Sequence, residues 1–159
     1  MTNKGKYYES QFEEATIKLL REAHWQYAFG DDIHRKYTNP LIEEDLRNFL
    51  AVQYKDKNLT TSEMDSIVAN LRNTGGQNDY YALRNTFLLY RDGYDFAYSD
   101  GRSNPFRLEY IDFEHPDHNI FRCVNQFVME QGRENRRPDI LLFINGIPVC
   151  IIELKNPTK

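Results

Sequence analysis

The stretch from Asp139 to Leu154 limits the fold of this chain more than any other part of the sequence. Two runs rich in Ile, Leu and Val are separated by Asn145-Gly146 and Pro148. Runs of this kind indicate β-strands. Asn-Gly is the strongest two-residue hairpin signal, because both turn positions need a positive φ. Pro148 is tolerated at the start of a strand. An antiparallel hairpin is therefore predicted here.

Three charged residues flank the open end of this hairpin. Asp139 starts the first strand, and Glu153 and Lys155 lie two apart on the second, so their side chains share one face. A tight turn places Asp139 opposite Ile152 or Glu153, and a β-bulge shifts the pairing by one residue. The run from Val149 to Ile152 reads as buried on both faces. Charges at the end of such a strand are costly unless they are paired or bound to a metal.

This set of residues suits phosphodiester hydrolysis. Two carboxylates held close together repel each other unless a cation lies between them. Mg²⁺ prefers oxygen ligands of this kind, and a bound metal polarises a phosphate and activates water. Lys155 would orient that water or stabilise the developing charge. The alternative is a solvated face whose ion pairs contribute about 0–1 kcal/mol each.

Helices come first along the chain and strands follow. Asn39-Pro40 and the capping-box pattern Thr60-x-x-Glu63 open helices, Gly75-Gly76 breaks the chain, and Gly93 ends the last helix. The predicted helices are Glu9–His24, Leu41–Tyr54, Thr60 to about Leu71, and Asp79–Tyr90. The predicted strands are Phe106–Asp112, Asn119–Met129 and the two strands of the hairpin.

Length and composition narrow the class of protein. The 159 residues fit one domain, of the α+β class, helical over 8–92 and sheet-rich over 105–155, with a mixed, mostly antiparallel sheet. The net charge of −4 argues against a nonspecific nucleic-acid coat. No apolar run is long enough to span a membrane, and a cytoplasmic location is expected. Cys123 and Cys150 lie in apolar runs and are predicted to be buried free thiols.

The residues from Arg137 to Pro157 resemble a known nuclease motif. The string Arg-Pro-Asp-Ile-Leu-Leu-Phe-Ile-Asn-Gly-Ile-Pro-Val-Cys-Ile-Ile-Glu-Leu-Lys-Asn-Pro closely resembles that of the restriction (motor) subunit of type I restriction enzymes, in its N-terminal nuclease domain. This domain belongs to the PD-(D/E)xK superfamily. The segments 110–113 and 119–127, and the opening helix from Glu9 to Leu20, are similar to the same family.

The resemblance implies a role for each matched residue. Asp139 and Glu153 would bind Mg²⁺ with help from the Leu154 carbonyl, and Lys155 would be the catalytic lysine. An acidic residue of the opening helix often joins such sites. Glu13 is the best match, with Glu9 and Glu14 as lesser candidates; the alternative for Glu13 is a solvated helix residue. Three arginines ahead of the motif would contact DNA phosphates by charge, or else form a solvated loop: Arg133, Arg136 and Arg137.

The resemblance also implies a setting for the chain. It implies a restriction-endonuclease-like fold that continues past Lys159, so that 1–159 would be a single but incomplete nuclease domain. The substrate would be double-stranded DNA, and the partners would be methylation and specificity subunits. ATP would serve only a motor region of the same polypeptide. Two alternatives remain: a docking or DNA-binding module with a degenerate site, and a nuclease acting on RNA.

A histidine pair is a weaker candidate site. The spacing His115-x-x-His118 can bind a metal ion. On a loop rich in Pro, Asp and Asn and without Cys partners, a solvated turn is the favoured interpretation.

Overall fold

The computed structural model describes residues 4–74 and 79–155. In these residues the chain has the predicted α+β composition. The predicted break at Gly75-Gly76 lies outside them. The helices are α1 (Lys4–Glu22), α2 (Glu43–Gln53), α3 (Thr61–Arg72) and α4 (Asp79–Asp92). The strands are β1 (Gln26–Phe29), β2 (Tyr94–Phe96), β3 (Phe106–Leu108), β4 (Phe121–Asn125), β5 (Met129–Gln131), β6 (Glu134–Arg136), β7 (Ile140–Ile144) and β8 (Ile147–Ile152).

The described residues form two compact units. The first contains the chain up to Ile42 and from Ile120 onward, and the second runs from Glu43 to Asn119. The single, incomplete domain predicted for 1–159 stays a prediction.

A four-stranded sheet organises the first unit. Its strand order is β1-β4-β7-β8. β1 runs parallel to β4, and the other two pairings are antiparallel. The predicted mixed, mostly antiparallel sheet is thus confirmed. Strands β5 and β6 form a separate two-stranded ribbon. A hydrophobic cluster packs on one face of the sheet, with Ile42, Val124, Phe127, Leu141 and Phe143 at its centre.

The predicted hairpin joins β7 and β8. Asn145 and Gly146 have φ values of 51° and 75°, as the Asn-Gly turn requires. The register shifts between Leu142 and Phe143 and pairs Ile140 with Ile152. This bulge selects between the two predicted registers, since continuing the pairing by one residue sets Asp139 opposite Glu153.

The burial predicted for β8 is wrong. Val149 is 42% exposed and Ile151 is 56% exposed, although both were expected to be buried. The reason is that β8 is the edge strand of the described sheet, so its outer side has no neighbouring strand. Cys150 is consequently exposed, which contradicts the prediction of a buried thiol, whereas Cys123 on the inner strand β4 is buried as predicted.

Three predicted boundaries also need correction. The part predicted to be helical contains β1. The single strand predicted over Asn119–Met129 is broken after β4, because Gln126 has a φ of 56°. The strand predicted over Phe106–Asp112 is reduced to β3.

The second predicted helix begins later than its capping signal suggests. Asn39 Oδ1 accepts a hydrogen bond of 3.1 Å from the Leu41 amide, which forms a local turn before the helix. The Ile42 amide donates to the Gly146 carbonyl over 2.9 Å. These bonds hold the segment in a non-helical path until Glu43.

The second unit contains α2, α3, α4 and the β2–β3 pair. The predicted capping box is confirmed at α3, where Thr60 and Glu63 bond reciprocally. The buried side chains of the second unit include Leu46, Leu50, Ile67, Leu108 and Tyr110. None of the helices in the described ranges has the length and apolarity needed to cross a membrane.

Candidate functional site

Asp139 is fixed at the open end of the β7–β8 hairpin. It directly precedes β7 and is half-buried. Its carboxylate Oδ2 accepts a hydrogen bond of 2.7 Å from the Leu154 amide. Its backbone carbonyl accepts a bond of 3.3 Å from the Gln126 amide. Asp139 is therefore connected to the chain that follows β8 and to the chain that follows β4.

Glu153 and Lys155 follow the last residue of β8, and both side chains are exposed. The last β7–β8 pair is Ile140 with Ile152. Continuing this pairing by one residue sets Glu153 opposite Asp139. Leu154, between them, contributes its amide to Asp139. The arrangement opens the acidic end of the hairpin to solvent and so to a large substrate.

Glu13 lies on α1 and is half-buried. Its Oε1 accepts a bond of 2.7 Å from Asn125 Nδ2 and a longer one of 3.5 Å from Gln126 Nε2. Asn125 in turn accepts from the Tyr27 hydroxyl over 3.0 Å. Glu13 is therefore held against the sheet by two side-chain donors, and its role in a site stays a prediction. Glu14 is exposed, and the side chain of Glu9 lies outside the described part.

A groove of about 840 Å³ runs beside this Glu13 network, between α1 and β1. Partial burial raises the pKa of Tyr27, and the negative charge of Glu13 raises that pKa further. The tyrosine therefore stays protonated at neutral pH and acts as a hydrogen-bond donor. The groove is lined by Glu13, Ile17, Lys18, Arg21, Tyr27 and Asn125, among others.

The structure does not gather all three predicted acids at one point. In the described ranges, only one group of three or more His, Cys, Asp and Glu side chains has ligand atoms all within 4.8 Å of one another, and that group is Asp112, His115 and His118. Asn125, which holds Glu13, pairs with Ile140. Gln126 follows Asn125 and bonds to both acids, through its amide to the Asp139 carbonyl and through its Nε2 to Glu13.

Comparison with known proteins identifies the family. Residues 6–159 match the family model described as "Type I restriction enzyme R protein N terminus". The chain belongs to this family. It is 31% identical over 162 aligned residues to the "Type I restriction enzyme HindI endonuclease subunit" of Haemophilus influenzae, with 95% of the chain and 15% of that relative covered.

A second similar protein comes from an archaeon. The "Putative type I restriction enzyme MjaIXP endonuclease subunit" of Methanocaldococcus jannaschii is 29% identical over 153 residues. That alignment covers 91% of the chain and 15% of the relative. This R-protein N-terminal chain thus spans about 15% of the length of these relatives.

In this R-protein N-terminal domain, the arginines ahead of Asp139 lie on or beside the β5–β6 ribbon. Arg133 is in its turn, Arg136 ends β6, and Arg137 follows; all three are exposed. Arg136 has one weak ion contact, 3.5 Å to Glu134. The ribbon therefore presents basic side chains immediately before Asp139.

Sequence reasoning did not find the polar residues that hold the Glu13 carboxylate. These residues are Asn125 and Gln126, which bond to Glu13, and Tyr27, which bonds to Asn125. One signal was present: Gln26-Tyr-Ala-Phe29 is a short run with two aromatic residues, which favour strands. The contact itself joins residues 112 apart in sequence, so no local pattern reveals it.

Proposed function

We propose that this chain is the metal-dependent DNA endonuclease domain of a type I restriction enzyme, with a PD-(D/E)xK-type site at the open end of the β7–β8 hairpin. The observation that carries the proposal is the Asp139–Leu154 hydrogen bond, which lies just beyond the last β7–β8 pair, Ile140 with Ile152. It brings the separated Pro-Asp and Glu-x-Lys elements to one end of one hairpin. Membership of the R-protein N-terminal family supports the same assignment.

The donor set fits a magnesium ion. Asp139 and Glu153 offer hard carboxylate oxygens, which Mg²⁺ prefers. Only Oδ2 of Asp139 receives the Leu154 amide, which leaves Oδ1 for a cation. Glu153 is exposed, so that water and a phosphate have access. The Leu154 carbonyl would complete the protein ligands.

The chain's own residues have distinct tasks in this proposal. The bound metal would polarise the phosphate and lower the pKa of an attacking water. The Leu154 amide holds the Asp139 carboxylate in one orientation. Lys155 would place its ammonium against the phosphate oxygens and stabilise the charge that develops there. Glu13, held by Asn125, is not gathered with Asp139 and Glu153 within 4.8 Å, so no step of this proposal depends on it.

The β5–β6 ribbon would hold the DNA. Arg133, Arg136 and Arg137 are exposed cations on or next to a two-stranded element, and such a ribbon fits the dimensions of a DNA groove. Contacts of arginine with phosphates carry no sequence information. Target recognition would therefore reside in a specificity subunit, and ATP hydrolysis in a motor region of the longer polypeptide.

A cleavage assay of the whole restriction complex tests the proposal. Full-length subunits with Asp139→Asn, Glu153→Gln or Lys155→Ala, assembled with their partners, would be given Mg²⁺, ATP and either plasmid DNA or RNA. We expect cleavage to fall by at least about 10²-fold while ATP hydrolysis continues. Lys36→Ala, which changes an exposed lysine elsewhere in the first unit, serves as the matched control.

The outcomes separate the candidate functions. Undiminished cleavage by all three variants would contradict the assignment. Cleavage of RNA rather than DNA would favour a ribonuclease. A complex that translocates but cuts neither polymer, even with the unmodified chain, would favour a docking module.

A further inference from the structure

The loop after β3 brings three potential metal ligands together in the second unit. Asp112, His115 and His118 each offer one ligand atom, and these atoms all lie within 4.8 Å of one another. The Nδ1 atom of His118 is 3.0 Å from Asp112 Oδ2, and the Nδ1 atom of His115 is 3.7 Å from Asp112 Oδ1. The two imidazole rings are stacked, with centroids 4.9 Å apart. Both rings thus turn the same nitrogen toward one carboxylate.

Asp112 is held firmly for a loop residue. Its side chain is only 6% exposed. Oδ1 accepts bonds from the amides of Glu114 and His115, at 3.1 and 2.8 Å, and Oδ2 accepts from Gln53 Nε2 at 3.0 Å. The side chain of Asn119 also bonds to the backbone of Asp112. It accepts from the Asp112 amide and donates to the Asp112 carbonyl. The carboxylate is therefore oriented in advance, as the ligands of metal sites commonly are.

The histidines complete the arrangement from the solvent side. Their side chains are 62% and 51% exposed, so water molecules can fill the remaining coordination positions. The 3₁₀ turn Pro116–His118 sets the two rings side by side. Two ligand atoms that each lie about 2.0–2.2 Å from one ion are at most about 4.4 Å apart. The three ligand atoms here all lie within 4.8 Å of one another, so binding requires only small movements.

From this geometry we infer that Asp112, His115 and His118 bind a divalent transition-metal ion. Two imidazole nitrogens and one carboxylate oxygen suit Zn²⁺, Co²⁺ or Ni²⁺, whereas Mg²⁺ prefers oxygen ligands alone. The ion would bind the neutral imidazoles at Nδ1, with the ring protons on Nε2. The bound ion would hold the loop from Asp112 to His118 in its present conformation. The site lies apart in sequence from Asp139 and Glu153, and its role is independent of the proposed nuclease function.

Cobalt binding to the 159-residue chain, prepared without a histidine tag, tests the inference. Co²⁺ would be titrated while its visible absorption and the heat of binding are recorded. We expect one ion per chain, competed away by Zn²⁺ and unaffected by excess Mg²⁺. Loss of an outer-shell partner typically weakens metal binding by about 10–100-fold, and loss of a ligand itself should cost at least as much. His115→Ala, His118→Ala and Asp112→Asn should therefore each weaken cobalt binding by at least tenfold.

Two controls make the result decisive. His34→Ala removes another exposed histidine and should leave cobalt affinity unchanged. The double variant His115→Ala/His118→Ala changes only exposed rings, so its circular dichroism should match that of the original chain. The absence of a cobalt spectrum in the original chain, or an undiminished spectrum in the double variant, would overturn the inference and leave a purely hydrogen-bonded turn. Melting-temperature gain with Zn²⁺ in the original chain but not in the double variant would support it.

Discussion

The amide of Leu154 donates a hydrogen bond of 2.7 Å to the carboxylate of Asp139, fifteen positions earlier in the sequence. This bond closes the open end of the β7–β8 hairpin just beyond the last backbone pair, Ile140 with Ile152. It gives the Asp139 side chain a structural task in addition to its proposed role as a metal ligand. Substitutions can separate the two tasks.

Asp139→Asn and Asp139→Ala should differ in stability but not in metal binding. Asparagine retains an oxygen that accepts from Leu154, whereas alanine leaves that amide without its partner, at a cost of about 1 kcal/mol. Both lose the charge that would bind a divalent ion. Urea unfolding would measure the first effect, and Mn²⁺ binding the second. Equal stabilities would show that the bond contributes nothing in solution.

The contact between Glu13 and Asn125 leads to a prediction about stability: a loss caused by adding a charge at position 125 should be recovered by removing the charge at position 13. Asn125→Asp places a second carboxylate against Glu13, where the present bond is 2.7 Å. Like charges at such a distance disfavour both ionised forms, so this variant should be less stable at pH 7 than Asn125→Ala. Adding Glu13→Gln to Asn125→Asp should recover most of the loss, as a double-mutant cycle in unfolding free energy would show.

The neighbouring acid provides the control for that cycle. Glu14 is exposed on the same helix, so Glu14→Gln should not rescue Asn125→Asp. If Glu14→Gln rescues as well as Glu13→Gln, the stabilising effect is general relief of negative charge and not the specific contact.

Gly30 should tolerate no side chain. A Cβ atom there would lie less than 3.0 Å from the backbone oxygen of Gln126, and backbone cannot move aside as a flexible side chain can. Gly30→Ala should destabilise the chain by about 1–3 kcal/mol. Gly132→Ala is the comparison: its Cβ would meet nothing within 4 Å, but its φ of +63° carries its own strain. A smaller loss at Gly30 than at Gly132 would contradict the close approach.

Local chemistry made the hairpin predictable, and long-range pairing made other features unpredictable. The residues Asn145-Gly146 are by themselves the signal for their turn, and Thr60 and Glu63 are the local signal for the start of α3. The exposure of Ile151 depends instead on whether another strand lies beside β8, which its own sequence does not state. Likewise, the task of Asn125 depends on an α1 residue far away in the chain. The sequence spacing identified His115 and His118 but gave no reason to include Asp112, whose contribution depends on the path of the loop.

Glu63 should make stability depend on acid pH. The side chain is 3% exposed, and the bonds from Arg102, reinforced by the Thr60 amide, lower its pKa from 4.5 to about 2. Because the pKa of Glu63 is lower in the folded state than in the unfolded state, the ionised carboxylate stabilises the fold at pH values above about 4.5. This stabilisation is lost as the pH falls from about 4.5 toward 2.

Substitution of either partner should flatten that dependence. Glu63→Gln keeps an acceptor for the Thr60 amide but cannot titrate, and Arg102→Met removes the guanidinium that lowers the pKa. Urea midpoints measured across this acid range should therefore vary less in both variants. Slopes identical to that of the original chain would show that other carboxylates govern its acid unfolding.

The two cysteines should react very differently in the folded chain. Cys150 is exposed on the edge strand, while Cys123 is fully buried on β4 between β1 and β7. Burial also raises the pKa of the Cys123 thiol, which lowers its reactive thiolate fraction. A thiol reagent should therefore label one cysteine quickly, and the second only after denaturant opens the sheet. Cys150→Ser should abolish the fast phase and Cys123→Ser should preserve it; two fast phases in the original chain would contradict the placement of β4 inside the sheet.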